Sequence, residues 1–355
     1  MHFETINFFS NIHKITGHKQ FYGGLSYDEE SLKTVLGRPA HDHTRALGEI
    51  IEKDMSQYKM TEAQHNNLEL LKNGHRAVIA GQQAGLFMSP SYIIHKIISI
   101  LVVTKEIKEK HDYDAVPVFW IAGEDHDFDE VNHTHVYDAY YKRRVKVSYK
   151  PNLSVPMSVG FYQYDKKAMT ETLDKILSYI GDSEYTATLK EKVAQSIEQC
   201  TTWTELFHSL VHDTFKYDGL IIFNSHLTEA RQLEVPILNK MFEKHKEIDQ
   251  AFKTGQASFL KTVNQSPTIQ TETNVHLFGN TSSYRSLLTE KEGKYSLGEE
   301  TFTFEDIKNK IQQTPEEFSN NVVTRPLMQE MLFNTAVFLG GGAEVSYWGE
   351  LHKVF

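Results

Sequence analysis

Four short apolar runs recur along the chain: RAVIAG at residues 76–81, VPVFWIAG at 116–123, GLIIFN at 219–224 and NTAVFLGGG at 334–342. Runs this short, with almost no polar alternation, predict parallel strands covered on both faces. Between the first two, Ile93, Ile94, Ile97, Ile98, Leu101 and Val102 recur at helical spacing, behind Ser89 as a cap and Pro90 at the first helical position. A strand, helix and parallel strand in succession form a right-handed crossover, and in such sheets a ligand lies beyond the carboxyl ends of the strands. The loops 81–89 and 124–132 are therefore expected to face one crevice.

The pattern changes between these runs. Residues 1–75 end in the helix-like TEAQHNNLELLKNGH and are expected to form a helical preface, with Leu68, Leu70 and Leu71 packing. From 76 to 132 runs the first half of an α/β core. Interleaved aromatic, β-branched and polar residues after His133 predict a small antiparallel insertion, and helical patterns then dominate to about residue 200. The core continues over 201–250, a second insertion with short strands spans 251–320, and the last core strand and helix occupy 321–355.

Charge and cysteine usage narrow the function classes. The 355 residues hold 37 lysines and arginines against 47 aspartates and glutamates, a net charge of -10, which argues against nonspecific binding to nucleic acid or an anionic membrane. The single cysteine, Cys200, follows Val193 and Ile197 on a helical pattern and reads as a packing thiol. The N-terminus lacks the apolar stretch of a signal peptide, and no apolar run is long enough to span a bilayer, so the cytoplasm is the expected compartment.

Candidate chemistry collects at the two loops. Gly81, Gln82, Gln83, Ala84, Gly85 and Leu86 lie between strand and helix, where glycines permit positive φ and close backbone approach, and where helix amides can meet a phosphate or carboxylate. The loop has neither the GxGxxG spacing nor the GK[ST] ending of nucleotide fingerprints, and a purely structural turn is the alternative. After the second strand, Glu124, Asp125, Asp127, Asp129 and Glu130 crowd five carboxylates around His126, which requires a metal, a substrate ammonium or arginines for balance. Arg325 has the shape to grip a carboxylate or phosphate, or to form an ion pair. Elsewhere the plainer reading is preferred: a solvated strand face for Lys142, Arg143, Arg144 and Lys146, packing or surface histidines for His208 and His212, and a helix start for His41, Asp42 and His43.

The stretches GQQAGLFMSPSYIIHK, VPVFWIAGEDHDFDEVNH, TETNVHLF and NNVVTRPLMQEMLFNT closely resemble the cysteine-adding enzyme family of bacillithiol biosynthesis, in the order expected and over nearly the whole chain from about residue 20. The resemblance implies a Rossmann-like core similar to class I aminoacyl-tRNA synthetases and nucleotidylyltransferases, interrupted by two connecting-peptide-like α+β insertions. It implies a cytoplasmic ligase joining cysteine to the amine of glucosaminyl-malate, and a homodimer supported by a C-terminal coiled coil. This chain ends before any heptad segment, so a monomer or weak dimer is expected of it. The two short nucleotide motifs of ordinary class I synthetases are missing, which leaves the activating cosubstrate open, a nucleotide such as ATP included, and no metal is expected.

On these grounds Asp125, His126 and Asp127 are the expected proton carriers. Substrate contacts are expected from Gly81, Gln82, Gln83, Gly85, Leu86, Pro90, Tyr92, Lys96, Trp120, Glu124, His133, Asn274 and Arg325, with Lys96 the weaker candidate because a lysine on a helix face is usually solvated. Two other classes compete: a metal-dependent hydrolase using Asp125, His126, Asp127 and His133, and a binding protein without catalysis.

Overall fold

The structure is a computed structural model that describes residues 21–22, 29–88, 90–125, 127–138, 140–150, 157–264, 266–280 and 285–355. The chain divides into two compact units: Asp42–Leu233 with Ser282–Arg285, and Met1–His41, Glu234–Thr281 and Ser286–Phe355.

The first unit opens with helices α1 (Thr44–Met55) and α2 (Glu62–Lys72), followed by β1 (Ala77–Gln82), α3 (Pro90–His111) and β2 (Val116–Ile121). An antiparallel hairpin of β3 (His133–Asp138) and β4 (Arg143–Ser148) comes next, then α4 (Lys166–Ile180), α5 (Thr186–Gln199), α6 (Trp203–Phe215) and β5 (Ile221–Asn224). Strand β2 lies between β1 and β5 and is parallel to both, with Gln82 opposite Ile121 and Ile121 opposite Asn224. The α/β class read from the uniform apolar runs is the observed one: every residue of β2 and β5 is buried. Burial of both faces is what removes polar alternation from such strands.

Sequence signals set the helix boundaries. Thr61 and Gln64 form a reciprocal cap on α2, and Gln64 Nε2 also donates to the Leu220 carbonyl (3.0 Å), tying the helix to the start of β5. Thr202 and Glu205 cap α6 in the same way. Cys200 ends α5 as a buried residue, and burial pushes its thiol up to about 11.

His208 and His212, one turn apart on α6, are both buried, and Tyr58 covers both rings at 4.5 and 5.2 Å. Asp54 Oδ2 lies 3.4 Å from His208 Nδ1. Burial, reinforced by Glu205 and Glu229, pushes the Asp54 carboxyl up to about 7, while burial pushes the His208 imidazole down to about 3. The contact thus joins an acid and an imidazole that both resist ionisation, and it is not an ion pair. A carboxyl whose pKa rises on folding stabilises the fold below its unfolded value near 4, and that contribution is lost as pH climbs through about 7. Asp54→Asn is therefore expected to be more stable than wild type at pH 8 by on the order of 2–4 kcal/mol, with the difference shrinking toward pH 4. Urea unfolding at several pH values measures this; a variant less stable at pH 8 would mean that Asp54 is a bonded carboxylate.

The second unit carries an antiparallel sheet in the order β10-β6-β7-β8-β9, with β6 Leu277–Asn280, β7 Arg285–Lys291, β8 Lys294–Leu297, β9 Glu300–Phe302 and β10 Phe318–Asn320. Helices His245–Val263, Phe304–Gln313 and Arg325–Leu332 belong to the same unit. Its core joins Phe252, Ile269, Val323 and Leu351. The buried Glu350 carboxylate fastens this region by accepting from Gln256 Nε2 (2.7 Å) and Thr268 N (2.8 Å). The fourth apolar run forms the strand Thr335–Phe338, followed by a helix over Gly342–Trp348. Among the described residues no helix is long and apolar enough to cross a membrane.

Candidate functional site

The carboxyl ends of β1, β2 and β5 meet in register, and the backbone beyond them stays knitted together. Ala122 N donates to Gln82 O (3.0 Å) and Ser225 N to Ile121 O (3.4 Å). Gly81 is favoured by closeness rather than by φ: a Cβ there would sit 3.3 Å from Trp120 Cβ, a tight contact. The left-handed residues of this loop are instead Phe87 (φ 46°) and Met88 (φ 73°), so the positive-φ role expected of the glycines falls on two bulky side chains.

Two carboxylates turn inward here. Glu124 is buried and accepts a short hydrogen bond from Ser225 Oγ. Asp125 is half-buried; its Oδ2 accepts from Gln83 Nε2 at 2.5 Å and its Oδ1 from Asp127 N at 3.3 Å. Arg285, buried within the same unit, interacts electrostatically with both carboxylates, and buried Arg231 acts on Arg285 and His226. Burial holds the Arg285 guanidinium down to about 10, while Asp125 and Glu124 pull the other way. Lys96 is also buried, contrary to the expectation of a solvated helix face. Its Nζ donates to Gly81 O (2.7 Å) and Gln82 Oε1 (3.3 Å), 5.4 Å from the centre of the Tyr92 ring. The Gly81 carbonyl and the Gln82 side-chain oxygen at the end of β1 make that burial tolerable.

A second segment fixes the acidic loop from the other side. Ser158 Oγ donates to Glu124 O (3.0 Å), Val159 N to Asp125 O (2.7 Å) and Gly160 N to Gly123 O (2.8 Å). His226, just past β5, lodges against both glycines: a Cβ at Gly160 would approach its ring to 2.5 Å, and one at Gly123 would lie 3.2 Å from its Cβ. Burial pushes the His226 imidazole down to about 4, so it is neutral at physiological pH. Phe128 packs edge-on to Tyr162 (4.6 Å) and Trp203 (4.9 Å), and Trp203 Nε1 donates to Ala84 O (2.6 Å). Both loops are thus held by side chains already in place, the arrangement that makes a site preorganised.

The remaining expected residues are distributed. Asp127 is exposed at the start of the one-turn helix Phe128–Val131, and Asp129 and Glu130 are exposed on it, so the five carboxylates divide into two inward and three outward. His126 and Ser89 lie outside the described residues; Pro90 opens α3. Gly85 O accepts from Met88 N (3.0 Å), and Leu86 is buried. Trp120 is a core residue, 1% exposed and edge-on to Phe223 at 4.7 Å. His133 starts β3, with Nδ1 3.3 Å from Asn132 Oδ1. Asn274 and Arg325 belong to the other unit. There Asn274 bonds both backbone groups of Glu290 (2.9 and 2.8 Å), and Arg325 pairs with Glu344 (2.8 Å). Among the described residues no three histidine, cysteine or acidic side chains group as a metal site.

A family model described as "Bacillithiol biosynthesis BshC, N-terminal Rossmann-like domain" matches residues 6–355. The chain belongs to the BshC family. A relative from Staphylococcus carnosus (strain TM300), named "Putative cysteine ligase BshC", is 41% identical over 337 residues, covering 94% of this chain and 63% of its own length. BshC relatives of the same name from Staphylococcus saprophyticus and Staphylococcus haemolyticus (strain JCSC1435) are each 38% identical over 338 residues, covering 95% of this chain and 63% of their own length. The chain therefore spans less than two thirds of the length of these BshC relatives.

Within this member of the BshC family, Arg285, Ser225 and His226 are site residues that sequence reasoning missed. Ser225 and His226 follow directly on the third apolar run, so the rule that chemistry lies past strand ends points to them. Arg285 carries no comparable signal, since it lies far along the chain in a strand pattern.

Proposed function

We propose that this chain is the Rossmann-like part of a cytoplasmic ligase that joins the carboxyl group of cysteine to the amine of glucosaminyl-malate, the amide-forming last step of bacillithiol biosynthesis. The observation that supports it is Asp125, a carboxylate fixed by Gln83 and under the electrostatic influence of buried Arg285 at the end of a parallel sheet, in a chain 41% identical to a protein named "Putative cysteine ligase BshC". In this reading Asp125 receives the ammonium proton of the incoming amine. The freed nitrogen lone pair attacks the activated cysteinyl carbonyl, a C–N bond forms, and the activating group leaves with the electrons of its C–O bond and with the second proton of the nitrogen. Lys96 and Arg285 set the potential at the strand ends that favours the developing negative charge. Gln83 orients the base, and Asp127 contributes its amide to the same carboxylate.

The test incubates the purified chain with cysteine, glucosaminyl-malate and each nucleoside triphosphate in turn. Mass spectrometry follows the thiol product, and calorimetry follows binding. Product formed with one nucleotide supports the reading. If neither substrate binds at millimolar concentration and no product forms, it is wrong.

A further inference from the structure

Glu124 and Asp125 are adjacent in the chain but meet different surroundings. Glu124 is 8% exposed; its Oε2 accepts from Ser225 Oγ and its backbone carbonyl from Ser158 Oγ (3.0 Å), while Oε1 has no partner among the described residues. Ser225 is fully buried, and its hydroxyl also lies 2.8 Å from the Ile121 carbonyl, so the group that holds Glu124 is itself fixed at the end of β2. Asp125 is only half-buried, and each of its oxygens accepts a hydrogen bond, one from Gln83 and one from the Asp127 amide. One carboxylate is thus enclosed with an oxygen to spare, and the other is reached by water with both oxygens engaged.

A buried carboxylate calls for a cation at close range. No lysine, arginine or histidine among the described residues lies within ion-pair distance of Glu124. Arg285 responds more to Asp125 than to Glu124, and Lys96 donates to Gly81 O and Gln82 Oε1. His226, pushed down to about 4 by burial, carries no charge near neutral pH. The ligase reading brings two ammonium groups to this strand end, and their needs are opposite. The acceptor amine must lose a proton before it attacks, and a half-exposed carboxylate can take that proton and pass it to water. The α-ammonium of cysteine, one carbon from the carbonyl under attack, must keep its protons, since a free amine there would compete as the nucleophile.

We propose that Glu124 holds the α-ammonium of cysteine, with Ser225 as its positioning residue, and that Asp125 is left to serve the acceptor amine. The identity of the ammonium compound rests on the ligase reading; the need for a cation rests on the burial of Glu124. The ammonium donates to Oε1 and gives the enclosed carboxylate its counter-charge. It stays charged throughout, so no bond to that nitrogen forms or breaks. The same pairing determines specificity: a thiol acid without an α-amine leaves Glu124 buried and unpaired, and is rejected for that cost.

Calorimetric titration of the 355-residue chain tests it, with circular dichroism confirming that each variant folds. Wild type is expected to bind cysteine about a hundredfold more tightly than 3-mercaptopropionate, which has the thiol and the carboxylate but no amine. Glu124→Gln is expected to weaken cysteine about a hundredfold, to remove that preference and to leave the affinity for glucosaminyl-malate unchanged. Ser225→Ala keeps the carboxylate without its anchor and is expected to weaken cysteine about tenfold, again with glucosaminyl-malate unaffected. If Glu124→Gln does not fold, the wild-type comparison and Ser225→Ala decide between them. Equal wild-type affinity for the two thiols, full cysteine affinity in the variants, or a loss that falls on glucosaminyl-malate would overturn the assignment and leave the ligase reading standing. A wild type that binds neither cysteine nor glucosaminyl-malate would overturn both.

Discussion

Asp125→Asn is expected to lower the rate of amide formation by about 10²–10⁴-fold, the usual contribution of a positioned proton acceptor. Stability should change by no more than about 1 kcal/mol, since the amide keeps the shape of the group and a hydrogen bond is worth about that much. The asymmetry follows from the surroundings: Gln83 and the Asp127 amide hold the carboxylate, and Asp125 is only half-buried, so its charge can be removed without opening a cavity. Single-turnover product formation, together with urea unfolding, separates the two effects. A variant with the wild-type rate would move the proton acceptor elsewhere, and one that unfolds would make Asp125 a structural anchor.

Trp120→Ala is expected to have the opposite profile. The indole is 1% exposed on the central strand, against Phe223 and directly under Gly81, so truncation empties a large volume between close-packed neighbours. Loss of such a side chain costs about 3–5 kcal/mol. Substrate affinity in the fraction that remains folded should match wild type. Calorimetry at low temperature and denaturant unfolding decide it: a loss under about 1 kcal/mol accompanied by lost affinity would make Trp120 a wall of the binding site.

These two residues also show where sequence stops being informative. The strands β1, β2 and β5 were readable because a strand buried on both faces admits only apolar side chains, and the start of α3 because proline suits a first helical turn. The same uniformity hides direction. In a run such as VPVFWI no alternation tells which side chain points to a ligand and which to the core, so Trp120 could be placed on the strand but not on a face. The acidic loop was recognisable as a site from its position. Which carboxylates turn inward depends on the one-turn helix after Asp127, and that depends on Phe128 finding Tyr162 and Trp203, residues too distant for local pattern to reveal. Lys96 and Arg285 fail for a related reason. Their burial is set by carbonyls and carboxylates on other elements, and an isolated cation in a helix or strand pattern resembles any solvated one.

Cys200 carries a consequence for a protein proposed to handle free thiols. With its thiol pushed to about 11 and buried at the end of α5, Cys200 is held as the neutral thiol at neutral pH. Only the thiolate exchanges with disulfides, and this one is sealed beneath a backbone whose carbonyl accepts from the Tyr164 hydroxyl at 2.9 Å. Oxidised low-molecular-weight thiols accumulating around the protein would therefore find no handle on this chain. Mixed-disulfide formation at Cys200 is therefore expected to be slow under oxidative conditions that cap accessible cysteines.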